Sequence, residues 1–240
     1  MERLQNNFVF ILGGSSGIGR AILEHFGSKL ESSTIVFTWR RKSALEKIDF
    51  GFVRGGNEVI PVELDLGKEF EVMAELDKWI GSCKRVIFVA CAFELGYDQS
   101  GVSGLNAARI SKYFNTNVSN FVEVFNAINR ARGSKDFTVF NLGSSFGYEG
   151  PSYAAANWSL QCVGKASRGI FLRAAQQEKG DFRILTLMPG LVKTEMLQEA
   201  KDLGMSSHSE EESSPSEIAI RSFQLLFEDT IDEPYSVFTK

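Results

Sequence analysis

The sequence predicts a doubly wound α/β fold, and two observations carry that prediction. Short apolar runs recur along the chain with helix-length amphipathic stretches between them, and the first run, Phe8-Val-Phe-Ile-Leu12, has no polar alternation. A strand without a polar face is buried on both sides, as in a parallel sheet covered by helices on each face. Thr34–Thr38, Glu58–Val62, Arg85–Ala90, Phe137–Leu142 and Arg183–Leu187 read as strands two to six, with Tyr235–Phe238 a candidate last strand. Helical periodicity falls between them, at roughly Ile18 to Leu30, Lys68–Gly81, Ala107–Ala131 and Ser159–Glu178. This alternation implies right-handed crossovers. After Pro189 the pattern loosens. Lys201 to Ser214 ends in the acidic Ser-His-Ser-Glu-Glu-Glu-Ser-Ser and reads as a solvated loop, a binding role for its charges being the secondary reading. Pro215-Ser-Glu then opens a helix to about Phe227, proline being suited to a first turn. No internal repeat or linker interrupts the chain, so one domain over residues 1–240 is expected.

Composition excludes several classes. At 240 residues and 43% hydrophobic, the chain can bury a sizeable core. The net charge of -4, without a run of Lys or Arg, argues against nucleic acid as a partner. No apolar stretch approaches the ~18 residues a membrane span needs, and the opening Met1-Glu-Arg-Leu-Gln-Asn-Asn7 lacks a cleavable signal pattern, so a cytoplasmic location is expected. Cys83, Cys91 and Cys162 are odd in number and widely spaced, which fits reduced thiols. His25 and His208 are far apart, and no cluster has metal-ligand spacing. His25 reads as a surface or capping histidine, Cys91 as a small buried residue, and Phe121, Phe125, Trp158 and Phe171 as core or interface residues.

The chemistry begins at Gly13-Gly-Ser-Ser-Gly-Ile-Gly19, between the first strand and the first helix. Gly13, Gly17 and Gly19 allow a tight turn and close backbone approach. The helix N-terminus, including Ile18, then offers N–H groups and a positive dipole end to a pyrophosphate, and Ser15 and Ser16 add hydroxyl donors. A glycine pattern alone can be simply a tight turn; its place after the first strand of a doubly wound pattern makes it informative and the fold Rossmann-like. The second strand ends in Thr38-Trp-Arg-Arg41, without the carboxylate that would accept bonds from the adenosine ribose hydroxyls. Arg40 or Arg41 can make charge-assisted bonds to a 2′-phosphate, which favours NADP(H) over NAD, unless both are merely solvated loop residues.

The spacing Gly-x-x-x-Gly-x-Gly resembles the short-chain dehydrogenase/reductase family, and the resemblance extends over nearly the whole chain. It implies that Asp65, with Leu66 beside it, contacts the adenine, that Asn117 supports a proton relay, and that Ser144 bonds the substrate carbonyl. Pro189-Gly-Leu-Val-Lys-Thr194 is similar to the family's segment after the sixth strand. There Pro189 and Gly190 would shape the turn, the Val192 backbone would hold the carboxamide of the nicotinamide, and Thr194 would add a hydroxyl. Leu160-Gln-Cys-Val-Gly-Lys-Ala-Ser-Arg168 looks most like the family's sepiapterin reductase branch, with Lys165 in the place of the catalytic lysine that also holds the nicotinamide ribose.

Three positions depart from the family pattern. Leu12 stands where Thr is usual, which loses a hydroxyl contact. Ala90-Cys-Ala-Phe93 replaces Asn-Asn-Ala-Gly at the end of the fourth strand, where Ala90 would border the cofactor. Gln161 replaces the tyrosine that gives its proton to the carbonyl oxygen. A primary amide cannot release a proton at neutral pH, and removing a positioned acid typically costs ~10²–10⁴ in rate. Tyr153 is an alternative acid, or Tyr148 on an inserted turn; a water, or no group at all, are the other options. The expected function is therefore an NADP(H)-dependent oxidoreductase acting on a small ketone or diketone. The alternative is a catalytically weakened NADP(H)-binding relative with a regulatory or structural role, and a third is non-reductase chemistry on the bound cofactor. By family analogy the long helices form a homodimer or homotetramer interface.

Overall fold

The structure, a computed structural model, describes residues 2–68, 74–98, 100–144, 157–204, 212–229 and 235–239. Seven strands form one sheet in the order β3-β2-β1-β4-β5-β6-β7: β1 (Asn7–Leu12), β2 (Thr34–Trp39), β3 (Glu58–Glu63), β4 (Arg85–Ala90), β5 (Asp136–Leu142), β6 (Arg183–Met188) and β7 (Tyr235–Thr239). Every pairing is parallel, so the candidate last strand joins the sheet as its seventh, with Thr186 opposite Val237. The strand order reverses between β1 and β4. A crevice opens at such a switch point, beyond the carboxyl ends of the strands.

β1 shows why the apolar run is continuous. Val9 and Ile11 face one core, Phe8, Phe10 and Leu12 the other, and all five are fully buried. On the first face α1 (Gly17–Lys29) and α8 (Pro215–Phe223) pack through Phe26 and Phe223, whose ring centroids lie 5.6 Å apart edge to face. On the opposite face lie α3 (Leu76–Ile80), α5 (Asn120–Ala131) and α6 (Ser159–Lys179). Phe125 of α5 meets the rings of Phe137, Phe171 and Phe182 there, at 5.5–6.0 Å. Of the aromatic residues read as core or interface, Phe121 and Phe125 are in the core, Phe171 packs partly buried against it, and Trp158, also partly buried, meets Tyr97 edge-on. His25 packs against the edge of Phe223, 5.2 Å between centroids.

Four boundaries differ from expectation. The helix expected over Lys68–Gly81 is a helix only over Leu76–Ile80 among the described residues. The stretch Ala107–Ala131 is α4 (Ala107–Phe114) and α5 joined by a π-turn at Asn115–Ser119, which keeps helical spacing and so leaves no mark in the periodicity. The last helix likewise passes from α8 into a π-turn at Gln224–Glu228. The stretch expected as a solvated loop from Lys201 instead opens with the end of α7 (Glu195–Asp202), which forms behind a Thr194 cap that accepts the Leu197 N–H; residues 205–211 of that stretch lie outside the described residues. A short helix, α2 (Lys42–Leu45), follows β2. Ser214 and Glu217 form a reciprocal capping box with Pro215 in the first turn, which fixes the start of α8.

Truncating Phe125 removes a ring that three others surround. Phe125→Ala is expected to lose about 3–5 kcal/mol of stability, read from urea denaturation.

Candidate active site

The segments that follow the first six strands enclose a cavity of about 260 Å³ at the carboxyl edge of the sheet. Its floor is the glycine turn. Gly13 and Gly17 have φ of +86° and +53°, and a Cβ on Gly19 would lie 2.0 Å from the Gly13 carbonyl oxygen. Two bonds to Thr38 hold the turn to β2: the Gly13 N–H donates to the Thr38 hydroxyl (2.8 Å) and the Gly14 N–H to its carbonyl (3.0 Å). The turn therefore survives Leu12, whose side chain is in the core and whose carbonyl accepts the N–H groups of Cys91 and Ala92. Ser16 starts α1 in extended backbone without a side-chain capping bond, so the helix N-terminus faces the cavity with its dipole.

One wall carries Arg40 and Arg41 after β2, then Asp65 and Leu66 after β3. Asp65 accepts the Gly67 N–H at 2.9 Å. Arg41 pairs with Glu195 at 2.8 Å across to α7, and the guanidinium holds the Glu195 carboxyl below the usual carboxylate range. A second cavity of about 140 Å³ adjoins this point, where Arg20, Arg41 and Lys47 gather beside Ser15 and Ser16.

The inner end holds Asn117, Gln161 and Lys165 together with Cys91, Phe93 and Glu94. Asn117 sits in the π-turn, a geometry that commonly marks functional positions. Its side-chain oxygen accepts the Glu94 N–H at 2.7 Å. Its carbonyl accepts two bonds from the fully buried Arg168, from Nε at 3.2 Å and Nη2 at 2.7 Å, while Arg168 Nη1 donates to the Ala92 carbonyl at 3.0 Å. Lys165 Nζ donates to the Leu142 carbonyl at 2.7 Å and lies 4.2 Å from the centre of the Phe93 ring. Arg168 lies against the same ring at 4.7 Å and against Phe121 at 4.2 Å. Burial first, and the Arg168 charge second, pull the Lys165 ammonium down to about 7. Burial brings Arg168 down to about 9, so it stays charged at neutral pH. Burial pushes the Cys91 thiol up to about 12, which fits an inert packing residue.

Gln161 is held from two sides. Its oxygen accepts the Gly96 N–H at 3.0 Å and the Tyr113 hydroxyl at 3.3 Å. Pro189 and Thr194 line the cavity; Ala90, Gly190, Val192 and Ser144 are not among its lining residues. Ala90 is buried within β4, Val192 bridges to Ser213, Gly190 takes φ +67°, and Ser144 directly follows the lining residue Gly143. Tyr148 and Tyr153 lie outside the described residues. Thr38, Tyr113, Arg168 and Glu195 were not singled out by sequence reasoning, and Phe93 was marked only within a departure from the family pattern. Only Arg168 carried a signal: with Gln161, Gly164, Lys165 and Leu172 it continues the buried stripe of α6 at helical spacing. Among the described residues no group of His, Cys, Asp and Glu could hold a metal ion.

A profile of the short chain dehydrogenases matches residues 7–203. Sepiapterin reductase of Meriones unguiculatus is 27% identical over 209 residues, covering 81% of this chain and 78% of that protein. A short chain dehydrogenase from Burkholderia cenocepacia in complex with NADP superposes with a TM-score of 0.75 at 19% identity, over 99% of this chain and 97% of that one. L-sorbose reductase from Gluconobacter frateurii, complexed with NADPH and L-sorbose, gives a TM-score of 0.75 at 20% identity, over 94% and 91%. At these identities the likeness to the solved structures is one of fold.

A methyl group at the floor of the turn has nowhere to go. Gly19→Ala is expected to cost about 1–3 kcal/mol, read as a lowered Tm in thermal denaturation.

Proposed function

The chain belongs to the short chain dehydrogenase family, and from that membership we propose that it is an NADP(H)-dependent oxidoreductase that reduces a small ketone or diketone. The observation that carries the reading is the continuity of one cavity from the glycine turn, past Arg40 and Arg41, to Lys165. The residues present fit the cofactor: a cradle too tight for a Cβ at Gly19 suits a diphosphate, and the cations around Ser15 and Ser16 suit a 2′-phosphate. NADPH, when bound, supplies a hydride.

The chain's own residues then have distinct tasks. The turn amides and Ser15 and Ser16 hold the diphosphate, and Asp65 and Leu66 border the adenine. Pro189, Gly190, Val192 and Thr194 place the nicotinamide end beside Ala90. Ser144 polarises the substrate carbonyl, Lys165 anchors the ribose, and Asn117 supports the proton path. Tyr153 remains a candidate acid in this reading. One domain over the full chain, a cytoplasmic location and a homodimer or homotetramer belong to the same proposal. A single seven-stranded sheet, cysteines that form no disulfide among the described residues, and the exposed Val163 and Ile170 on α6 support them respectively. No described helix is long and apolar enough to cross a membrane.

A second reading, a weakened relative that binds NADP(H) in a regulatory or structural role, draws on Gln161 standing where the family has its acid. NADPH oxidation against a panel of ketones and diketones separates the two. Carbonyl-dependent oxidation is expected; binding of NADPH without any oxidation favours the second reading. Changing both Arg40 and Arg41 to Ala is expected to weaken NADPH binding, measured by fluorescence titration, about 10-fold or more while NADH binding changes little. Gln161→Tyr is expected to raise turnover; an unchanged or lower rate would undercut the alignment of Gln161 with the family's tyrosine.

A further inference from the structure

Reduction of a carbonyl needs a proton at the oxygen as hydride reaches the carbon, and the residue in the family's place cannot give one. The Gln161 oxygen is held by the Gly96 N–H and the Tyr113 hydroxyl, and its amide has no acidic proton at neutral pH. The fit is close: a Cβ on Gly96 would lie 2.4 Å from the Gln161 backbone nitrogen and 2.7 Å from the Tyr113 hydroxyl. Tyr113 is no substitute, since its hydroxyl is engaged by Gln161, it does not line the cavity, and burial pushes its ionisation further from neutrality. The Cys91 thiol, at about 12, holds its proton too firmly.

Lys165 is placed differently. It lines the cavity at the inner end, and one of its three N–H bonds is fixed on the Leu142 carbonyl. The Phe93 ring, in a position where the family usually has glycine, covers part of the ammonium at 4.2 Å. Arg168, three residues on, is pinned by three bonds to the Asn117 and Ala92 carbonyls and so presents a fixed positive charge to its neighbour. Among the described residues, the other titratable group acting on Lys165 is Cys91 from the segment after β4, and Glu94 of the same segment lines the cavity with it.

We infer that Lys165 is itself the proton donor of this site, with Phe93 and Arg168 as the residues that position and tune it. The inference rests on the reductase reading above. In the step, the hydride from NADPH forms the new C–H bond as the carbonyl π bond breaks. The electron pair moves to oxygen, which takes a proton from the Lys165 ammonium. Lys165 is left as a neutral amine and is reprotonated from water. An ammonium brought to about 7 is suited to this, because a general acid works best when it releases its proton near the working pH. The donor must be protonated to act, so kcat/KM for reduction falls as pH rises through the Lys165 titration.

The test uses the full chain with saturating NADPH and 2,3-butanedione. Lys165→Arg keeps a cation but not a releasable proton; it is expected to lose ~10²–10⁴ in kcat, measured with NADPH held saturating for the variant. Phe93→Leu removes the ring that favours the ammonium, so the falling limb of kcat/KM is expected about half a pH unit or more lower. Independently of turnover, 13C NMR of lysine-labelled protein is expected to show one resonance titrating near neutrality that disappears in Lys165→Arg. Retained turnover in Lys165→Arg, or a limb that follows Tyr153→Phe and ignores Phe93→Leu, overturns the inference. The absence of any lysine titrating below about pH 9 does the same. A parent protein that reduces no carbonyl removes the reductase reading itself, and with it this one.

Discussion

A single guanidinium ties the reactive end of this protein together. Arg168 stands on α6, yet its hydrogen bonds end on the π-turn between α4 and α5, at Asn117, and on the segment after β4, at Ala92. Three elements that approach the carboxyl edge from different directions are thereby held in one register. A fully buried cation is expensive unless its donors are satisfied and its charge is compensated. Here carbonyl dipoles take the hydrogen bonds, and the faces of Phe93 and Phe121 take the rest of the charge.

The departures from the family pattern fit this arrangement. Phe93 supplies an aromatic face to both cations in place of a glycine. Gln161 lets the segment around Gly96 settle against α6, with its oxygen meeting a backbone amide and the Tyr113 hydroxyl. The loss of a threonine at Leu12 is offset by Thr38, whose hydroxyl and carbonyl hold the glycine turn from the neighbouring strand. All three departures thus lie around the glycine turn and the inner end of the same cavity.

The inner strands were legible because a strand buried on both faces leaves a continuous apolar run, whereas β3, half-exposed at the sheet edge, was legible from its Val59, Ile60 and Val62. The glycine turn was legible from its place after the first of them. The π-turn at Asn115–Ser119 was not, since one extra residue in a turn leaves the spacing of apolar residues nearly unchanged. α7 was missed because its short, charged sequence shows its start only through the Thr194 cap. Arg168 illustrates the general limit: a cation on a helix reads by default as solvated, and only the packing of three distant segments decides that it is not. Ser144 and Val192 stand beside the cavity without lining it, a matter of backbone path that motif spacing does not encode.

The ion pair between Arg41 and Glu195 joins the loop after β2 to the start of α7 over the same cleft. Both partners are well exposed, so the bridge is weak and screened by dissolved ions. It links two segments at the cavity rim, and added salt loosens that link before it touches any buried contact of the site.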